Sequence, residues 1–266
     1  MHDHRLSALV LTVSDLDRSI AFYRDVLGLG LSALDDVTAS KLRVDYALDG
    51  VTIALGLNQS DTSAPTGSPG AMWHLCFAVP RLDPVVERLR KAGAAFAVEP
   101  RAARGGVRIC FFFDPDGVLL ELTEGGLSYD TDYRKAHSPP IAEGETIRID
   151  HVAVDVTDRS AAADAYRKTL GFELLGELDY SEDNFGITYM NDGKFGIELF
   201  QFDQGNPGSI IDDSQRWRFA LAASLSEGGH CDGVADTVLS RDGTVKFGRI
   251  ARSTSDCASV KAKGLQ

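Results

Sequence analysis

The chain repeats itself, and the register of that repeat restricts the fold more than any other property of the sequence. Leu11-Thr12-Val13-Ser14-Asp15, followed by Phe22-Tyr23 and Leu27-Gly28, returns as Val154-Asp155-Val156-Thr157-Asp158, followed by Ala165-Tyr166 and Leu170-Gly171. Every corresponding position is displaced by the same 143 residues, without a gap. In each copy an apolar strand runs into a Ser or Thr beside Asp, short polar side chains that can satisfy the orphan N–H groups of a helix start. The helix that follows turns its aromatic residues inward, and Gly28 or Gly171 supplies a residue able to end it.

A third copy begins at His74-Leu75-Cys76-Phe77-Ala78-Val79, continues through a helix around Val85 to Ala92, and stops at Gly93. It closes with hairpin strands joined by Asp114-Pro115-Asp116-Gly117, a sequence built for a tight turn. A fourth copy would start near Arg218-Phe219-Ala220-Leu221-Ala222, with a helix around Val234 to Leu239. Its match is weak, and beyond Gly243 only Thr244 to Ile250 has strand character. The stretch Thr123 to Glu145, rich in Gly, Pro and charge, reads as a linker between the halves. The expected organisation is a first domain over 1–125 (modules one and two), a linker over 126–147, and a second domain over 148–266 in which module three is clear and module four degenerate.

Composition narrows the partners. Acidic residues outnumber basic ones by 39 to 27 in 266 residues, a net charge of −12 that repels a phosphate backbone, so nucleic acid is not an expected partner. The four cysteines, Cys76, Cys110, Cys231 and Cys257, form no CxxC pair and lack the density of a disulfide-stapled domain; reduced thiols are the plain reading. The start, Met-His-Asp-His-Arg, leads at once into a strand pattern, with no apolar segment suited to a signal peptide or a membrane span. A cytoplasmic location without membrane contact is therefore expected.

The phrases Val-Ser-Asp-Leu-Asp-Arg-Ser-Ile-Ala-Phe-Tyr-Arg-Asp-Val-Leu-Gly and Phe-Asp-Pro-Asp-Gly-Val-Leu-Leu-Glu-Leu resemble the opening and closing signatures of the vicinal-oxygen-chelate superfamily of glyoxalases, bleomycin-resistance proteins and extradiol dioxygenases. The resemblance covers roughly residues 6 to 202. It implies an α+β fold of repeated βαβββ modules whose curled mixed sheets surround a small-ligand pocket.

The resemblance also implies a ligand set. In metal-dependent members each module of a pair lends one group from the start of its first strand and one from its last strand. Module one carries Ala8 and Ala54 at those positions, and neither can bind a metal. Module two carries His74 and Glu121, and module three His151 and Glu198, with the same spacing of 47 residues in both. In module four the first position falls on Arg218 or Trp217, and no second ligand is recognisable. The central modules are thus expected to share one His74, Glu121, His151, Glu198 site, although many family members pair modules one with two and three with four. Two imidazoles and two carboxylates suit one divalent ion among Zn, Ni, Co, Mn and Fe(II).

A lone histidine at a strand start, or a lone Glu on an alternating strand, is more often structural than ligating. Four such residues at matching positions weigh the other way, because a Glu in Leu-Leu-Glu-Leu or Gly-Ile-Glu-Leu is costly to bury unpaired. Tyr23, Tyr166 and Phe22 read as helix-face core. Arg101, Arg104 and Arg108 could clamp an anion, though a solvated loop is the plainer reading; His2, His4, His137 and His230 receive no role.

The chemistry the resemblance implies is a glyoxalase-like lyase or isomerase acting on a small oxygen-chelating carbonyl or hydroxy substrate through a metal-stabilised enolate, with Glu121 or Glu198 as the base. An extradiol-type ring-cleaving dioxygenase is the second reading, and a non-catalytic binder of small or antibiotic-like molecules the third. Exposed module edges make a homodimer an expected possibility.

Overall fold

The computed structural model describes residues 4–13, 15–29, 41–45, 52–57, 72–103, 107–125, 147–191, 196–203, 217–223, 235–239 and 245–249. The first module supplies β1 (His4–Val13), α1 (Leu16–Ala21), β2 (Lys41–Asp45) and β3 (Thr52–Leu57). The second supplies β4 (Met72–Val79), α2 (Leu82–Lys91), β5 (Phe96–Ala102), β6 (Arg108–Phe113) and β7 (Leu119–Glu124). The third supplies β8 (Arg148–Asp155), α3 (Arg159–Leu170), β9 (Glu173–Tyr180), β10 (Phe185–Asn191) and β11 (Gly196–Phe202). Three further strands follow: β12 (Trp217–Ala223), β13 (Ala235–Leu239) and β14 (Val245–Arg249). Of the linker expected between the halves, Thr123 and Glu124 belong to β7 and Ile147 is buried in the core, while 126–146 lies outside the described residues, as do the 104–106 segment with Arg104 and the residues His2, His137, His230, Cys231 and Cys257.

Helix boundaries follow the local signals. Asp15 and Asp158 are extended N-caps whose carboxylates accept from the N–H groups of Arg18 (3.0 Å) and Ala161 (2.9 Å). Gly171 closes α3 in the left-handed conformation, φ 73°, which costs a residue without Cβ nothing. After α1 the chain continues as a π-helical turn, Phe22–Val26, in which the Leu27 N–H reaches back to the Phe22 carbonyl (3.0 Å).

The strands form two sheets, and each takes strands from both halves of the chain. An eight-stranded sheet has the order β5-β6-β7-β4-β8-β11-β10-β9, and a six-stranded one β14-β13-β12-β1-β3-β2. The larger is mixed, curled and unclosed: β4 and β8 meet antiparallel at its centre, and each is flanked by the parallel last strand of its own module. In the smaller, β1 meets β12 in the same antiparallel way. Modules two and three therefore share one sheet, and module one is paired with what remains of module four.

One sequence expectation is corrected here. The segment expected to form a helix, Val234 to Leu239, contains the strand β13, hydrogen-bonded antiparallel to β12 and β14. A segment this short cannot repay helix nucleation alone, whereas the β-branched Thr237 pairs with Phe219 on one side and Phe247 on the other, and the β-branched Val238 pairs with Lys246. The strand expected over Thr244 to Ile250 is present as β14.

Period-two alternation sorts the side chains of the eight-stranded sheet. Leu75, Phe77, Leu122, Val152, Val154 and Leu199 point to the helix-covered face and join one core with Val86 and Leu89 of α2 and Ala162 and Tyr166 of α3. Module one contributes to the same core. Phe22 packs against Phe112 (centroids 6.4 Å), and the Tyr23 hydroxyl donates to the buried Asp114 carboxylate (2.9 Å). That carboxylate also accepts from the Asp116 (2.8 Å) and Val118 (2.7 Å) N–H groups and so fixes the β6–β7 turn. Burial, and then the Asp114 charge, push the Tyr23 hydroxyl well above its usual pKa, so it remains a donor. Arg18 to Asp116 (3.0 Å) and Arg88 Nε to the Val26 carbonyl (2.8 Å) complete the joint. The two sequence signatures, Phe-Tyr and Asp-Pro-Asp-Gly, thus bind each other.

Tyr166, the repeat-related partner of Tyr23, is equally buried, but its hydroxyl has no hydrogen-bond partner among the described residues. Tyr23→Phe should therefore destabilise the protein by about 1–3 kcal/mol, because it removes a donor from a buried carboxylate. Tyr166→Phe should be neutral or stabilising, since it removes a buried unsatisfied group. Thermal unfolding of the two variants checks this, and equal losses in both would refute the assignment.

Candidate metal centre

The site forms where the two central strands cross registers. In β4 and β8, Cys76 stands opposite His151 and His74 opposite Ala153. The parallel neighbours then add one acid each: Glu121 on β7 lies beside Cys76, and Glu198 on β11 beside Ala153. In both modules the acid sits next to the residue two beyond the histidine, so all four side chains fall on the sheet face opposite the helices. That face carries the four residues expected from sequence, each 3 or 4% exposed.

The polar atoms converge. Glu121 Oε2 is 3.1 Å from His74 Nε2 and 3.4 Å from His151 Nε2, and Glu198 Oε2 is 3.3 Å from His151 Nε2. The two imidazole centroids are 5.7 Å apart at 75°, and one ligand atom each from His74, His151 and Glu198 lie within 4.8 Å of one another. His151 Nε2 is fully buried and forms no hydrogen bond to either neighbouring carboxylate. Two imidazoles and two carboxylates that crowd one point form a mixed nitrogen and oxygen donor set that fits a divalent cation.

The four groups shift one another's ionisation. Burial opposes ionisation of Glu121, but the flanking imidazoles of His151 and His74 outweigh it and hold its carboxyl down at about 2. Burial lowers the pKa of His74 despite the pull of Glu121. It also disfavours the charged form of His151, yet the Glu198 charge and the hydrogen bond to Asp150 prevail and raise its pKa well above the ordinary value. Burial, and then the Glu121 charge, push the Cys76 thiol well above its usual range, which makes it a neutral packing group rather than a thiolate. Phe111 stands edge-on to His74 at 5.1 Å and Phe200 at 6.3 Å, and these rings form an apolar wall beside the polar atoms.

The other sequence candidates fall elsewhere. Ala8 on β1 stands beside Thr52 and opposite Ala220, and Ala54 on β3 beside Val10. Arg218 on β12 faces Val10 in the register that His151 has toward Cys76. Arg108 is committed to Asp83 (2.6 Å) and Glu124 (3.2 Å) and Arg101 is exposed on β5, so neither reaches this site as an anion clamp. His4 begins β1 instead of lying in a frayed terminus. Sequence reasoning missed Asp150, whose carboxylate lies 2.9 Å from His151 Nδ1. The signal was an acid inside the apolar run Ile149-Asp150-His151-Val152.

Comparison with known proteins agrees with this architecture. The model of the Glyoxalase/Bleomycin resistance protein/Dioxygenase superfamily matches residues 5–122 and 148–244. A probable chloroplastic lactoylglutathione lyase of Arabidopsis thaliana is 28% identical over 222 residues, 76% of this chain; the chain spans 57% of that relative's length. A probable lactoylglutathione lyase of Vibrio cholerae is 30% identical over 130 residues, covering 47% of this chain and 93% of its own length. Among solved structures, glyoxalase I from Zea mays superposes with a TM-score of 0.60 at 20% identity, over 91% of this chain and 90% of that one, a likeness of fold. With both halves matched by the family model and the modules in place, the chain belongs to the Glyoxalase/Bleomycin resistance protein/Dioxygenase superfamily.

Proposed function

We propose that the chain is a divalent-metal-dependent lyase of the glyoxalase kind, acting on a small substrate that offers two neighbouring oxygens. The observation that carries this reading is the convergence of one histidine and one glutamate from each central module, with His151 Nε2 3.4 and 3.3 Å from two carboxylates. His74, His151, Glu121 and Glu198 would hold the ion. When bound, a divalent cation supplies Lewis acidity to substrate oxygens.

The protein's own groups supply the rest. A site with two acids can use one to hold charge and the other to move a proton, and a carboxylate beside a carbonyl-bearing substrate can take the proton from the adjacent carbon. Phe111 and Phe200 keep water from the reacting atoms and strengthen the local electrostatics. The relatives named lactoylglutathione lyase suggest the substrate class. The hemithioacetal of an α-oxoaldehyde and glutathione is an isomer of a 2-hydroxyacyl thioester, related to it by moving one hydrogen between adjacent carbons through a single carboxylate, while the hydroxyl proton passes from the oxygen on one of those carbons to the oxygen on the other. Two imidazoles and one acid alone would also suit a ring-cleaving dioxygenase, but Glu121 against both imidazoles adds a second acid and favours proton transfer.

Two outcomes are expected. Purified protein should carry about one divalent ion per chain by elemental analysis, and a chelator should lower Tm by roughly 5–10 °C relative to protein in about 100-fold excess metal over Kd. Metal-free protein with an unchanged Tm would remove the basis of the proposal. Loaded enzyme should convert the hemithioacetal to thioester without oxygen uptake. Of Glu121→Gln and Glu198→Gln, the variant that keeps its metal yet loses about 10²–10⁴ in kcat identifies the proton-transfer group; full activity in both would exclude either acid from that role.

A further inference from the structure

A residue of a regular strand points its side chain away from the face used by its neighbours in sequence, so Asp150 and His151 belong on opposite sides of β8. They are nevertheless in contact: Asp150 Oδ2 is 2.9 Å from His151 Nδ1. The register explains this. Cys76 pairs with His151 and Phe77 with Ile149, which leaves Asp150 as an extra residue on β8, a bulge of the kind that re-aims a side chain. The same one-residue shift recurs before the corresponding position of modules one and two, at Ser7 before Ala8 and at Trp73 before His74. Of these three bulged positions, Ser7, Trp73 and Asp150, only the one in module three carries an acid.

The Asp150 carboxylate is 4% exposed, with Arg148 3.9 Å from its other oxygen. An ionised carboxylate can only accept, so the proton of this contact belongs to His151 Nδ1, and Nε2 is left to face Glu121 and Glu198. The Cys76 sulfur sits within 4.8 Å of both groups but donates to the Phe77 carbonyl (3.8 Å), so Asp150 is the acceptor that orients the ring.

We infer that Asp150 is a positioning residue that fixes the tautomer and rotation of His151, so that Nε2 is presented to a divalent cation held with His74, Glu121 and Glu198. The inference rests on the metal-binding reading above and adds to it a residue outside the four ligands. Partners of this kind set metal affinity by about 10–100-fold.

The test measures zinc affinity by competition with a chromophoric chelator, and the His151 tautomer by nitrogen NMR of zinc-loaded protein with labelled histidine. Asp150→Leu should weaken zinc binding by about 10–100-fold and lose the Nδ1–H signature. Asp150→Asn, whose carboxamide oxygen can accept the same bond, should recover part of the affinity and the tautomer, and remains informative if the leucine variant does not fold. Tyr23→Phe, destabilising but remote from the site, should leave zinc affinity unchanged. Wild-type affinity and tautomer in both Asp150 variants would overturn the positioning role while leaving the metal reading intact. Wild-type protein that takes up no stoichiometric zinc would overturn both.

Discussion

The antiparallel pairing of β4 with β8 is the contact on which the rest depends. Each central module brings one histidine and one glutamate to the site, and His74 and His151 lie 77 positions apart in the chain. Only when Cys76 aligns with His151 do the two half-sites face each other. A register slip of one residue would turn either half-site onto the helix-covered face. The large core beneath the sheet makes that slip costly, since it would carry Leu75, Phe77, Val152 and Val154 out of apolar surroundings.

The price of the arrangement is electrostatic. Two acids and two imidazoles are taken out of water on one sheet face, and such a cluster is stabilised only where opposite charges or a cation complete it. Its partial balance is visible in the groups themselves: Glu121 is held strongly ionised while His74 and His151 are driven in opposite directions. The aromatic wall that makes the site expensive also makes any charge it completes count for more than in water. A site that destabilises the bare fold and becomes favourable on binding a cation links folding to loading.

The six-stranded sheet shows what the architecture keeps when the chemistry is absent. β1 and β12 pair as β4 and β8 do, yet the ligand register carries Ala8, Ala54 and Arg218. The repeat diverges in its supports as well: Tyr23 finds Asp114 across the core, whereas Tyr166 keeps the buried ring with no partner for its hydroxyl among the described residues.

The modules, the caps at Asp15 and Asp158, the stop at Gly171 and the four candidate ligands were legible in the sequence, because each depends on spacing within one module. Module four was misread at Val234 to Leu239, where cross-strand pairing with β12 and β14 overrode a short helical pattern. Which modules share a sheet, and that Asp150 leaves its expected face to meet His151, were decided by tertiary structure alone. Local periodicity fixes which way a side chain points along its own strand. The choice of partner strand, and the one-residue bulge that reverses a side chain, come from long-range hydrogen-bond register, which no single segment contains.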